Sequence, residues 1–163
     1  MNDYRISIDI EEFEKMPDKV RKIYEAVSEL AKEGKDAQAK EILDKMNADD
    51  EYVKNLKGVL AMREGRLVEA SELFEGNSLA NAKINQGAID ILNGKYNEAA
   101  AKLAGTGDKN EALAYILTNQ LDKAVEANTC DCPRSSYLNA IVAARQGNVN
   151  AAQAGIDAAS EKE

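Results

Sequence analysis

Apolar residues recur along most of this chain at the spacing of one helix face, and the pattern is broken at intervals by a turn residue. Gly34, Gly65, Gly94, Asn119 and Gly147 each end such a run, and alanine follows five positions later at Ala39, Ala70, Ala99, Ala124 and Ala152. Seven positions before the turn stand Gly58, Gly87, Ala112 and Ala140, with Val27 departing in the first copy. Two positions after it stand Leu67, Tyr96, Leu121 and Val149, with Asp36 departing. A helix that stops and reverses needs a residue with positive φ just past its end, and glycine, then asparagine, adopts that at least cost. Small side chains on the first helix facing alanine on the second let two antiparallel helices nest. The turns lie 31, 29, 25 and 28 residues apart, room for two helices of about ten residues each plus short loops.

The pattern predicts first helices near 18–33, 51–64, 79–93, 110–118 and 134–146, and second helices near 36–46, 67–75, 96–104, 121–128 and 149–160. Start signals agree with these bounds. Asp108 and Glu111 have the spacing of a capping box, Asp49 or Asp50 and Asn77 or Ser78 can cap the helices that follow, and Pro17 and Pro133 suit a first turn.

The runs Leu56-Lys-Gly-Val-Leu-Ala-Met-Arg-Glu-Gly65 and Gln86-Gly-Ala-Ile-Asp-Ile-Leu-Asn-Gly-Lys-Tyr-Asn-Glu-Ala99 resemble the helix–turn–helix of the tetratricopeptide repeat, with its small residue, turn glycine, aromatic and alanine. The resemblance implies an all-α fold over residues 17–163, a right-handed α-solenoid of about five antiparallel hairpins. The copies are shorter than that family's 34-residue period, and the first matches least. What the resemblance implies for function is a non-catalytic scaffold that binds a peptide or protein segment on the concave face of its first helices. In the two best-matching copies that face comprises Tyr52, Asn55, Val59 and Met62, then Asn81, Ile84, Ala88 and Ile91. The equivalent positions are Arg21, Tyr24, Ser28 and Ala31 in the first copy, Thr106, Lys109, Leu113 and Ile116 in the fourth, and Arg134, Tyr137, Ile141 and Ala144 in the fifth. The apolar members also fit plain helix-on-helix packing. The family's carboxylate clamp of Lys, Arg and Asn is not matched, because the face lacks the repeated lysine.

Residues 1–16 fall outside the repeat. Tyr4 to Ile10 alternates with period two, which reads as an extended arm or short strand. It resembles the closing strand of an OmpA-like domain, and such domains precede degenerate helical repeats in some bacterial cell-envelope proteins; a disordered leader is the alternative. This sets a second functional expectation, a spacer or docking module of a larger envelope protein. The compartment follows the same fork: periplasm or envelope for a fragment of an exported chain, cytoplasm for a complete one.

Composition narrows the chemistry. Of the 163 residues, 44% are apolar and 5% aromatic, so the interior must come from Ala, Leu, Ile and Val. A net charge of −8 with no basic cluster argues against nucleic acid or an anionic membrane as partner. No apolar run approaches the length of a membrane helix. With 0 His, the commonest general base and zinc ligand are missing, which makes an enzyme the least favoured reading. Gly94-Lys95 lacks the rest of a phosphate-binding loop, and Gly105-Thr-Gly-Asp108 reads as an inter-hairpin loop. No cofactor is expected. Cys130 and Cys132 form one unusual cluster. Two thiols are too few for a closed zinc site, and a bridge across so short a span is a poor staple, so a plain loop is expected, with redox-sensitive thiols or a metal as alternatives.

Overall fold

The structure is a computed structural model that describes residues 10–162. Among them it is helical throughout, with eleven helices and no strand: α1 (Ile10–Lys15), α2 (Asp18–Lys32), α3 (Asp36–Asp44), α4 (Glu51–Arg63), α5 (Leu67–Phe74), α6 (Ala80–Leu92), α7 (Tyr96–Leu103), α8 (Lys109–Leu117), α9 (Leu121–Ala127), α10 (Pro133–Arg145) and α11 (Val149–Glu161). Helices pair across the predicted turns as α2 with α3, α4 with α5, α8 with α9 and α10 with α11, and each predicted helix is found within a few residues of its expected bounds. The chain forms two compact units, Met1–Ile89 and Asp90–Glu163, with the division inside α6.

All five turn residues have positive φ, and Asn119 is the one non-glycine residue with positive φ among those described, at 57°. After α8, the Asn119 N–H donates to the Ile116 carbonyl at 3.1 Å and the Gln120 N–H to the Tyr115 carbonyl at 2.8 Å. The same pair of bonds closes α6, from Gly94 to Ile91 and from Lys95 to Asp90. This arrangement satisfies the last orphaned carbonyls of a helix and requires the left-handed residue at its centre.

In the first unit, Val27, Ala31, Ala39 and Leu43 of the α2–α3 hairpin pack with Val53, Leu56 and Leu60 of α4. A second cluster joins Val59, Ala61 and Met62 to Ala70, Phe74, Leu79, Ala82 and Ile89. Gly58 is the close approach of the α4–α5 hairpin: a Cβ built there would lie 2.5 Å from the Phe74 ring, so the missing side chain is what admits the phenyl group. Arg63 ties the next hairpin back to the first, since its guanidinium bonds both Asp36 carboxylate oxygens and the Ala31 carbonyl. In the second unit Arg145, likewise two residues before its turn, donates to the Ile116 carbonyl at 2.6 Å. The sequence pattern did not single out these two arginines, although their common offset from the turn was visible.

Several expectations are corrected. Residues 1–9 of the extended arm, and with them most of the OmpA-like alternation, lie outside the described residues; residues 10–15 are helical, because Ile10, Phe13 and Met16 also recur at helical spacing. Pro17 stands just before α2 as its cap residue rather than in its first turn. Pro133 does occupy the first turn of α10. Asp108 caps α8 by accepting from the Asn110 N–H, but the Glu111 carboxylate reaches past it to the N–H groups of Gly105 and Gly107, at 2.7 and 2.9 Å. Glu111 therefore fastens the loop before the helix instead of closing a box with Asp108. In the last hairpin Ala152 is only half-buried, and the tight approach is Gly155 against Ala140. Cys130 and Cys132 are joined in a disulfide, not the free thiols of a plain loop. The two Cα atoms stand 5.5 Å apart, within the range that a bridge spans, although only one residue lies between them.

Candidate partner-binding face

The first-helix face in unit 1 is built on α4 and α6. Asp50 fixes the start of α4, its carboxylate accepting from the N–H groups of Tyr52 and Val53 at 2.9 and 3.1 Å. Asn77 accepts from the Leu79 N–H just before α6 and donates to the Glu51 carbonyl at 2.9 Å. Ser78 gives both its N–H and its hydroxyl to the Glu51 carboxylate, which holds that carboxyl below the usual range. The N-terminal ends of the two helices are thereby bound side by side.

Of the eight residues assigned to the face, Asn55, Val59 and Met62 are buried, each about 2% exposed, with Val59 and Met62 inside the second core cluster. Tyr52 is half-buried and packs against both clusters, while Asn81, Ile84 and Ala88 are half-buried on α6. Ile91, also half-buried, lies in the second unit. Asn55 and Asn81 do come together: the Asn55 amide donates to the Asn81 side-chain oxygen at 2.9 Å. Asn85, which the sequence pattern passed over, completes the group by donating to the side-chain oxygens of Asn81 at 3.1 Å and Asn55 at 3.3 Å. Its spacing of one helical turn from Asn81 was the available signal. Paired amides between half-buried apolar neighbours suit contact with a polypeptide, whose backbone offers matching donors and acceptors.

The equivalent stripe on α2 is covered by the chain itself. Phe13 of α1 packs edge-on to Tyr24 with ring centroids 6.1 Å apart, and the Arg21 guanidinium lies 5.4 Å over the Phe13 ring. Arg21 also donates to the Glu14 and Met16 carbonyls at the end of α1, at 3.0 and 3.2 Å. Burial pushes the Tyr24 phenol up to about 12, and the neighbouring Glu12 carboxylate adds to the shift. The Glu12 carboxylate accepts from the Ala80 N–H at 2.8 Å, at the first residue of α6. This contact joins residues 68 apart in sequence, which no local pattern could reveal.

Among the described residues, no group of three or more His, Cys, Asp or Glu could hold a metal ion. No helix there is long and apolar enough to cross a membrane.

No protein family and no curated protein matches the sequence. Among solved structures, MamA of AMB-1 superposes with a TM-score of 0.65 at 19% identity, covering 86% of this chain and 96% of that one. MamA of MSR-1 superposes with a TM-score of 0.64 at 17% identity, covering 88% of this chain and 95% of that one. At such identity the likeness bears on fold alone, and the fold is a tetratricopeptide-repeat-like helical repeat.

Proposed function

We propose that this protein is a non-catalytic interaction scaffold that holds a peptide or helical segment of a partner protein on the first-helix face of unit 1. The observation that carries the reading is the half-buried strip of Tyr52, Asn81, Ile84, Asn85 and Ala88, where an asparagine network lies among apolar side chains. A tyrosine with adaptable amides provides contact area and hydrogen bonding at low conformational cost. The helical-repeat fold supports the class, since such folds present extended faces for partners. Asn55, Val59 and Met62 act from beneath: Asn55 orients the two half-buried amides of α6, and the other two pack the helices that carry them.

The test is capture of a partner from the native source by the wild-type chain and by Tyr52→Ala with Ile84→Ala. Capture should fall by about tenfold or more, with little change in the melting temperature. The loss caused by the double variant should be the same at low and high salt, because Tyr52 and Ile84 carry no charge. Undiminished capture by the double variant, or contacts that map to the second helices, would refute this surface.

A further inference from the structure

We propose that α1 is a built-in strap over the first-helix face of unit 1, and that the partner segment it keeps out is a short helix carrying a carboxylate next to an aromatic side chain. The inference rests on the partner-binding reading of this face and names the partner's chemistry.

The strap makes contacts of the kind a bound segment would make. Its aromatic group, Phe13, sits between the Arg21 guanidinium and the Tyr24 ring, both on the α2 stripe equivalent to Tyr52 and Asn55 on α4. Its carboxylate, Glu12, reaches the first N–H of α6, the residue before Asn81. A helix N-terminus favours an anion through its unsatisfied N–H groups and its dipole, and here a carboxylate is seated on one. Its last carbonyls are taken up by Arg21, and Met16 is buried in the core at the foot of the strap. Tyr52 packs against the same cluster as Phe13 and Tyr24. One short segment thus touches the first helices of α2 and α6 and the cluster that includes α4.

The fit is incomplete, and this makes the strap displaceable. The second Glu12 carboxylate oxygen and the Arg21 Nε are buried without a hydrogen-bond partner among the described residues. A buried polar atom left unpaired carries a desolvation cost that a better-matched ligand avoids. A segment whose carboxylate engages both the α6 N-terminus and the Arg21 guanidinium, with its ring in the Phe13 position, satisfies the groups that α1 leaves open. While α1 occupies the face, the apparent affinity for such a segment is reduced by the small fraction of molecules in which the face is free.

The test uses the full chain and a fluorescein-labelled synthetic peptide with the sequence of residues 9–17. Fluorescence anisotropy should show the chain carrying Glu12→Gln and Phe13→Ala binding this peptide at least about tenfold more tightly than the wild-type chain does. A peptide with alanine in place of its phenylalanine should bind neither. Equal affinity for the two chains, or no binding to either, overturns the proposal, whereas the fate of the partner-binding reading is decided separately by capture with Tyr52→Ala and Ile84→Ala. A second measurement needs no substitution. An isotopically heavy copy of the peptide, saturating the wild-type chain, should speed hydrogen exchange at the amides of residues 10–16 several-fold. Binding that leaves those amides as protected as before would mean that peptide and α1 do not share the face.

Discussion

The two units use one hairpin plan but fill it differently. Residues 12–89 bury large side chains, with Leu43, Leu56, Leu60, Met62, Phe74 and Ile89 at the centre. Residues 90–162 bury chiefly alanine, at Ala99, Ala100, Ala112, Ala114, Ala124, Ala140 and Ala159, with Leu103, Ile116, Leu138 and Val142 as the larger members. Their surfaces differ in the opposite sense. Among the described residues, Val68 is the exposed large apolar residue of the first unit, whereas the second exposes Leu92, Tyr96, Val125, Tyr137, Ile141, Val149 and Ile156. Alanine interfaces bring backbones close and gain dispersion contacts, but each removes little apolar area from water, at about 25 cal/mol per Å². The second unit therefore depends on exclusion of bulk, and the first on bulk itself.

The largest effect should come from violating each rule where it applies. Ala99 is fully buried, and Ala99→Glu combines overpacking with a buried charge, for an expected cost of about 4 kcal/mol. In the first unit the damaging change is the reverse one: Leu60→Ala should cost about 3 kcal/mol by leaving a cavity. Urea melts of both variants, read with hydrogen exchange, should place each loss in its own unit. An unchanged melt for Ala99→Glu would remove the nested-helix account of the second.

The legibility of the two units in sequence also differed. Turns and helix bounds were readable in both, because Gly, Asn and the alanine five residues on are demanded by local backbone geometry and close packing. The first unit hid more. Helix α1 was missed because its i, i+3, i+6 apolar spacing abuts an alternating segment that suggests strand, and six residues are too few to outweigh it. The burial of Val59 and Met62 depends on which side of α4 meets α5 and α6, a tertiary fact to which periodicity is blind. Asn85 escaped notice because its one-turn spacing from Asn81 shows a shared helix face but not that the Asn55 amide of α4 lies opposite. In the second unit the disulfide went unforeseen because loop curvature, not residue separation, decides whether two thiols meet.

The Tyr24 contact offers a pH test confined to the first unit. Its phenol is held neutral in the fold, with the ordinary value of 10.0 raised to about 12. A raised value means that the stabilisation is fully present below pH 10 and is lost as pH climbs towards 12. Between those limits the wild-type chain should lose roughly 2–3 kcal/mol more than Tyr24→Phe, which has no proton to lose. Parallel pH curves for the two proteins in alkaline urea melts would show that Tyr24 does not remain buried beside Glu12.

Smaller still is the effect expected at Cys130 and Cys132. Their disulfide spans two positions in an exposed loop, and closing so short a loop removes little freedom from the unfolded chain. Replacing both with serine should cost less than about 2 kcal/mol and leave the first unit's exchange protection unchanged. A loss large enough to unfold the second unit would make this loop, rather than its alanine interfaces, the main determinant of that unit's stability.

The smallest effect tests whether turn chemistry is interchangeable within the second unit, where glycine and asparagine turns occur together. Gly94 has φ of 75° with nothing within 4 Å of an added Cβ, so the cost of Gly94→Val is backbone strain alone, about 1–2 kcal/mol. Asn119 already accepts a φ of 57°, and Asn119→Gly exchanges a slightly strained left-handed residue for an unstrained one while loosening the unfolded chain. These two contributions oppose each other, so the net change should lie within about 0.5 kcal/mol of zero. Both backbone bonds past each turn survive the substitutions, since they involve main-chain atoms alone. Equal destabilisation by the two changes would mean that the Asn119 side chain, and not its φ, closes the α8–α9 turn.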